Sequence, residues 1–124
     1  MNFADIVWVG LAGSVGAAAR FLADGAVRSR VRTRVPVGTV AINVAGSLLF
    51  GVLTGLVLFH HAPSSLTLVA GTGFCGGFTT FSTASFETIR LVQQGDLGAA
   101  GINVGVTVAA TLAAASAGMA LAWL

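Results

Sequence analysis

The sequence has no lysine and no tyrosine, and only 8% of its 124 residues are charged. Six arginines and four acidic residues cannot cover the surface of a water-soluble domain, in which about a quarter of residues carry charge. A single cysteine, Cys75, excludes an internal disulfide, and its apolar neighbours indicate an inert, buried thiol. The chain is therefore not expected to fold as a soluble domain.

What the sequence does contain is mostly apolar, with 56% hydrophobic residues. A helix needs about 20 such residues to cross a bilayer. Four runs reach that length, at about residues 3–23, 37–59, 64–91 and 98–124. The first run lacks a basic leader, and Asp5 lies at its start ahead of the uninterrupted apolar residues, which argues against a cleavable signal peptide. We predict an all-α membrane protein, a single domain over residues 1–124 with four transmembrane helices.

The arginines are distributed unevenly along the chain. All six lie near the first and third connections between runs, four of them in a basic loop at residues 27–34. The other side has only Asp5, His60 and His61, and the two histidines lack a third ligand for a metal. Because basic connections stay in the cytoplasm, we predict a cell-membrane protein with both termini outside the cytoplasm.

The third run is unlike a lipid-facing helix. Gly76 and Gly77 each weaken a helix by about 1 kcal/mol relative to alanine, and residues 79–82 then bring three hydroxyls. In hydrocarbon, a broken backbone must find partners in protein, water or an ion. We predict a break at Gly76-Gly77, facing another helix, a cavity or a pore. Glu87 and Arg90, three residues apart near the end of the run, permit a weak ion pair.

Two other runs carry polar residues at helical spacing. Thr39, Asn43 and Ser47 share one face of the second run. An asparagine there either links helices or lines a polar path, and spacing alone favours neither. Asn103, Thr107 and Thr111 form a stripe at four-residue intervals on the fourth run. Arg20 lies near the end of the first run, where its side chain either reaches the lipid headgroups or faces an anion vestibule.

No catalytic constellation accompanies these features. Gly71, Gly73 and Gly76 spell the GxGxxG of dinucleotide-binding proteins, with Asp96 twenty residues further on. That motif requires a preceding strand and a βαβ unit, which membrane-spanning runs cannot supply. The sequence therefore predicts no enzyme.

Several motifs resemble the CrcB/Fluc family of bacterial fluoride channels over essentially the whole chain. They are Gly16-Ala17 with Arg20, Gly38 through Asn43 to Gly46-Ser47, and the run from Gly76 to Thr83 (GGFTTFST) with Glu87. The resemblance implies an antiparallel dimer of the dual-topology type, built from four-helix subunits. It also implies two fluoride pathways and one structural sodium ion, Na+.

The resemblance also implies roles for individual residues. The backbone carbonyls of Gly76 and Thr79 would bind sodium, Asn43 would donate a hydrogen bond to fluoride, and Phe81 would present its ring edge. The rest of the fluoride pathway would comprise Thr80, Ser82, Ala84, Thr107 and Thr111, with Arg20 and Glu87 at a vestibule. The family usually has a second phenylalanine where this chain has Ala84, and often an aromatic residue where it has Asn103.

The implied function is a fluoride-selective channel that lowers cytoplasmic fluoride by passive efflux. One alternative is a small multidrug-type proton-coupled exporter, which needs a carboxylate deep in the membrane. The four acids lie near the ends of runs instead, at Asp5, Asp24, Glu87 and Asp96. Another is a non-conducting subunit of a heteromeric channel, which Ala84 leaves open. The arginine bias favours a heterodimer with an oppositely oriented paralogue over a homodimer.

Overall fold

The computed structural model describes residues 1–124, which form helices joined by short connections and contain no strand. Three long helices are α1 (Phe3–Arg30), α2 (Val37–His60) and α6 (Leu97–Trp123). Between α2 and α6 lie four shorter pieces. They are α3 (Ser64–Leu66), a π-helix (Thr67–Cys75), α4 (Gly76–Phe78) and α5 (Phe81–Gln93).

The three long helices have the length and hydropathy needed to cross a membrane. They correspond to the first, second and fourth predicted runs. The third run is interrupted, so no single helix within it is long enough by itself. The all-α fold class and a multi-pass membrane protein are thereby confirmed.

The prediction of a basic loop at residues 27–34 is wrong for the first half of that range. Helix α1 continues past Ala23 to Arg30, so that Arg28 and Arg30 occupy its last turn. Arginine is a good helix former, and a helix need not end where the hydrocarbon ends. Only Arg32 and Arg34 lie in the connection, which Pro36 closes just before α2.

The predicted break at Gly76-Gly77 is also misplaced, because both glycines are helical in α4. The chain leaves the helix at Thr79 and Thr80, both in extended conformation. Gly77 serves close packing instead, since a Cβ there would lie 2.1 Å from the Gly13 carbonyl oxygen of α1. Small residues let membrane helices approach this closely.

Two pairs of elements form the body of the subunit. Helix α1 packs mainly on the π-helix and α4, whereas α2 packs along α6. Gly51 and Gly118 bring α2 and α6 together, since a Cβ at either would come within 2.2 Å of backbone on the other helix. At the far end, His60 Nε2 lies 2.6 Å from the Ala122 carbonyl oxygen, so this histidine joins the two helix ends.

The surface of the subunit is apolar. Only 19 of the 124 residues are buried, and large side chains such as Phe3, Phe21 and Leu112 face outwards. An exposed apolar area of this extent is a liability in water, but in a bilayer it faces lipid tails or another subunit. The polar side chains described next lie mainly between helices.

Candidate functional site

The break between α4 and α5 is held from across the subunit by Asn43 of α2. Asn43 Nδ2 donates to the Thr80 carbonyl oxygen at 2.9 Å, and the Thr80 amide donates to Asn43 Oδ1 at 2.8 Å. Both residues are buried. One side chain therefore replaces both hydrogen bonds that the Thr80 peptide loses by leaving the helix.

At this break the carbonyl groups of Gly76 and Thr79 lose the amide donors that a continuous helix would give them. In a continuous helix the Thr80 amide would bond Gly76 O, but it bonds Asn43 instead. The Thr83 amide would bond Thr79 O, but it donates to Thr80 Oγ1 at 3.1 Å. Gly76 and Thr79, which the resemblance implies as sodium ligands, are thus among the residues at this break whose carbonyls lose their helical donors.

A cavity of about 220 Å³ opens beside the break, and we call it the threonine cavity. It brings together six of the seven residues predicted for a fluoride pathway, with Ser82 as the exception. Its lining comprises Asn43, Ser47, Thr79, Thr80, Phe81, Ala84, Thr107 and Thr111. Residues from three separate runs thus converge on one space, which the sequence alone could not place.

Hydrogen-bond donors remain available in this cavity. The Asn43 amide carries two protons, of which only one is used on Thr80. Thr107 Oγ1 is buried without a partner, whereas Thr111 Oγ1 donates to the Thr107 carbonyl oxygen at 2.6 Å. Ser82, which is exposed, lies with its Oγ 3.3 Å from Thr80 Oγ1. The cavity therefore offers N–H and O–H groups that suit an anion.

The polar stripe on α6 divides into two parts. Asn103, only 1% exposed, lies against α5, where its Nδ2 donates to Thr88 Oγ1 at 2.8 Å. Thr88 Oγ1 in turn donates to the Ala84 carbonyl oxygen. Asn103 therefore links α6 to α5, while Thr107 and Thr111 line the cavity.

A second cavity, of about 330 Å³, lies beside the first and shares Ser47 and Thr79 with it. We call it the glycine cavity, and it is also lined by Gly46, Phe50, Gly71, Thr72, Cys75, Gly76 and Ala115. A Cβ at Gly76 would meet nothing within 4 Å. The Gly76 and Thr79 positions thus face open space, and backbone oxygens there suit a hard cation such as sodium.

The charged end of the subunit does not follow the sequence expectation. Glu87 pairs with Arg28 at 2.7 Å and accepts a hydrogen bond from Thr39 at 3.1 Å, so the expected Glu87–Arg90 pair is wrong. Arg28 also contacts Asp24 at 2.8 Å. A cavity of about 270 Å³, here the basic cavity, is lined by Arg28, Thr33, Arg34, Pro36, Glu87, Arg90, Leu91 and Gln94.

Arg20, the other predicted vestibule residue, does not reach the basic cavity and forms no ion pair. Arg34, in contrast, pairs with Asp96 at 2.9 Å, and Asp96 caps α6 through the Ala99 amide. The Ala99 hydrogen bond and then the Arg34 guanidinium lower the pKa of Asp96. Of the three arginines that line the basic cavity, Arg28 and Arg34 are thus ion-paired, whereas Arg90 is not.

Residues 7–119 match the family model described as CrcB-like protein, Camphor Resistance (CrcB). The chain belongs to this family. The family assignment made from the sequence motifs is confirmed, and the match extends from α1 through most of α6.

Individual relatives of the CrcB-like family extend this result. A protein of Syntrophotalea carbinolica named fluoride-specific ion channel FluC is 40% identical over 94% of this chain and 96% of its own length. FluC 2 of Cutibacterium acnes is 57% identical over 68% of this chain and 70% of its own length. FluC 1 of Leifsonia xyli is 51% identical, over 72% of this chain and 65% of the relative. All three relatives are named as fluoride-specific ion channels.

Proposed function

We propose that the chain is a subunit of a fluoride channel that lowers cytoplasmic fluoride by passive efflux. The observation that carries the proposal is the threonine cavity, which places Asn43, Phe81 and the hydroxyls of α6 around one space. The relatives' names point to the same anion. A desolvated fluoride ion needs hydrogen-bond donors, and this cavity has unused ones.

The residues of the cavity suit passage of a small anion more than tight capture. Asn43 and Thr107 supply neutral donors, so no fixed positive charge lies in the cavity to hold the ion. Phe81 adds a ring edge, which carries the positive part of the aromatic quadrupole. Conduction needs binding strong enough for entry and weak enough for release.

The chain would act as an antiparallel dimer in which residues 64–93 form a fourth, broken membrane crossing. Phe81 is 87% exposed at the break, and a side chain so placed needs a neighbouring subunit or lipid to cover it. A structural sodium ion would lie at the dimer axis, held by the freed carbonyls of Gly76 and Thr79 from each subunit. The ion would tie the two broken helices together, and no step of fluoride transfer passes through it.

The partner is proposed to be a paralogue of opposite orientation, because all six arginines of this chain lie on one side. Both termini would then be outside the cytoplasm. Reporter fusions at the C-terminus test this orientation, and a cytoplasmic or mixed signal would contradict it. In such a heterodimer, the pathway that contains Ala84 would lack one ring edge and conduct less.

Fluoride efflux from liposomes tests the main proposal. The protein is purified as it assembles in its native membrane and reconstituted into vesicles loaded with fluoride. Efflux well above that of empty vesicles, with chloride retained, is the expected result. Vesicles that hold the folded assembly and lose no fluoride would contradict the proposal.

A non-conducting role for this subunit is a second candidate, favoured by Ala84 in the cavity lining. Comparing the chain reconstituted alone with the native assembly separates the two. Flux that requires the partner, and is unaffected by changes at Asn43 of this chain, would support the second candidate. A proton-coupled exporter is not favoured, since Glu87 is ion-paired to Arg28.

A further inference from the structure

The Glu87 side chain lines the basic cavity and lies one helical turn from a residue of the threonine cavity. That residue is Ala84, which Glu87 follows by three residues on α5. Its Oε1 accepts from Thr39, which precedes Asn43 by one turn on α2. An anion moving between the two cavities would therefore pass close to Glu87.

A carboxylate in this position opposes such an anion. The Glu87 side chain is only 13% exposed, so dissolved salt screens its charge poorly. Glu87 Oε2 is buried and has no hydrogen-bond partner, so nothing but the neighbouring cation offsets its charge on that side. Left alone, Glu87 would lower the local concentration of any anion at this end of the protein.

Arg28 supplies the compensating charge from another helix. Its Nη2 lies 2.7 Å from Glu87 Oε1, and its Nε lies 2.8 Å from Asp24 Oδ2. The Asp24 contact, one turn earlier on α1, fixes the guanidinium in place so that it can reach across to α5. The other two arginines of the basic cavity do not contact Glu87, because Arg34 pairs with Asp96 and Arg90 forms no ion pair.

We propose that Arg28 is a positioning residue that neutralises Glu87 and thereby keeps this end of the pathway open to anions. The proposal rests on the proposed function as a fluoride channel. It assigns different roles to arginines that the sequence makes look alike. Arg28 offsets two specific carboxylates, Glu87 and Asp24, whereas Arg32, which forms no ion pair, only adds to the general positive charge.

The formal charges of this group distinguish charge compensation from a purely structural ion pair. Arg28, Asp24 and Glu87 together carry a net charge of −1, which Arg28→Gln changes to −2. The double variant Arg28→Gln/Glu87→Gln returns the group to −1 without restoring the ion pair. Charge compensation predicts that the double variant recovers, whereas a purely structural ion pair predicts that it does not.

The test is a double-mutant cycle measured as fluoride efflux from liposomes at low ionic strength. Arg28→Gln is expected to slow efflux by about three- to tenfold. In a Glu87→Gln background the same change is expected to slow it by less than about twofold, and the double variant is expected to conduct faster than Arg28→Gln alone, which a purely structural ion pair does not predict. Arg28→Lys, which keeps the charge, is expected to lose less flux than Arg28→Gln.

Arg32→Gln is the matched control, because it removes the same charge at the same end without touching a carboxylate. It is expected to change efflux by less than about twofold. The melting temperatures of all variants show which of them fold. If Arg28→Gln does not fold, the comparison of Arg28→Lys with the unaltered protein still tests the proposal. Equal loss in both backgrounds, or equal loss in Arg28→Lys and Arg28→Gln, would overturn the proposal. Absence of efflux in the unaltered protein would instead count against the proposed function.

Discussion

The side-chain amide of Asn43 forms two hydrogen bonds with the backbone of Thr80, its nitrogen donating to the carbonyl oxygen and its oxygen accepting from the amide. The two residues are 37 positions apart in the sequence. Through this contact α2 determines where the broken segment leaves its helix. The relationship gives Asn43 a structural role in addition to any contact with an ion.

Asn43→Ala is therefore expected to impair both stability and fluoride flux. It leaves the buried N–H and C=O of Thr80 without partners, at about 1–3 kcal/mol for each group. Thermal unfolding in detergent and liposome efflux measure the two effects. Thr54→Val on the same helix is the control, because Thr54 Oγ1 bonds only the Phe50 carbonyl oxygen of its own helix. An unchanged melting temperature in Asn43→Ala would show that the clamp contributes little.

Gly77→Ala and Gly76→Ala are expected to behave differently although they are neighbours. A Cβ at Gly77 would lie 2.1 Å from the Gly13 carbonyl oxygen, so α1 must move, at the upper end of about 1–3 kcal/mol. A Cβ at Gly76 meets nothing within the subunit. Gly77→Ala should lower the melting temperature of the isolated subunit, and Gly76→Ala should not. Equal melting temperatures would contradict the close packing of α1 on α4.

Sodium is expected to stabilise the dimer if the freed carbonyls bind it. An ion held only by the folded dimer adds about 2.7 kcal/mol when present at a hundredfold excess over its Kd. Replacing sodium by N-methyl-glucamine should lower the melting temperature of the assembly. Gly76→Ala, whose methyl group would project into the glycine cavity, should lose this sodium dependence. A sodium-independent melting temperature in the unaltered protein would argue against the site.

Ala84→Phe is expected to raise fluoride flux by restoring a ring edge to the threonine cavity. The effect belongs to one pathway, so total flux should rise by no more than about twofold if the other already conducts. Ala109→Phe is the matched control, since Ala109 is exposed elsewhere on α6. Reduced flux in Ala84→Phe alone would show that the ring blocks the cavity.

The Asp96 cap of α6 is expected to fail in acid. The pKa of Asp96 is lowered in the folded protein, first by the Ala99 amide and then by Arg34. Its contribution is therefore present above the unfolded-state pKa and is lost as the pH falls through the lower folded-state pKa. Asp96→Asn retains a capping oxygen but should lose this pH dependence of the melting temperature. The same acid response in Asp96→Asn and the unaltered protein would assign it to another group.

The sequence predicted the polar faces better than it predicted their partners. Helical spacing placed Thr39 and Asn43 on one face of α2, and both do contact the broken segment. The position of the break could not be read from glycines, because it depends on an asparagine from another helix. Spacing also suggested Arg90 as the partner of Glu87, whereas Arg28 reaches it from 59 residues away.

The sequence also did not predict the type of helix that the third run forms. Residues 67–75 form a π-helix, for which nothing in their composition provides a signal. Asn103 was recognised as part of a polar stripe, but only the fold shows that it bonds Thr88 and not the cavity. Such contacts depend on which helices pack together, and a periodic pattern within one helix does not identify its neighbours.

The π-helix has a consequence for how the family can vary in length. Each of its hydrogen bonds spans one residue more than an α-helical hydrogen bond, since it runs from i to i+5. A one-residue deletion between Thr67 and Cys75 can thus be absorbed by rewinding as α-helix. A deletion in α5 cannot be absorbed in this way, because α5 is already α-helical, and each residue lost there rotates the remaining side chains by about 100°. Natural length changes in this part of the chain should therefore accumulate before the break and not after it.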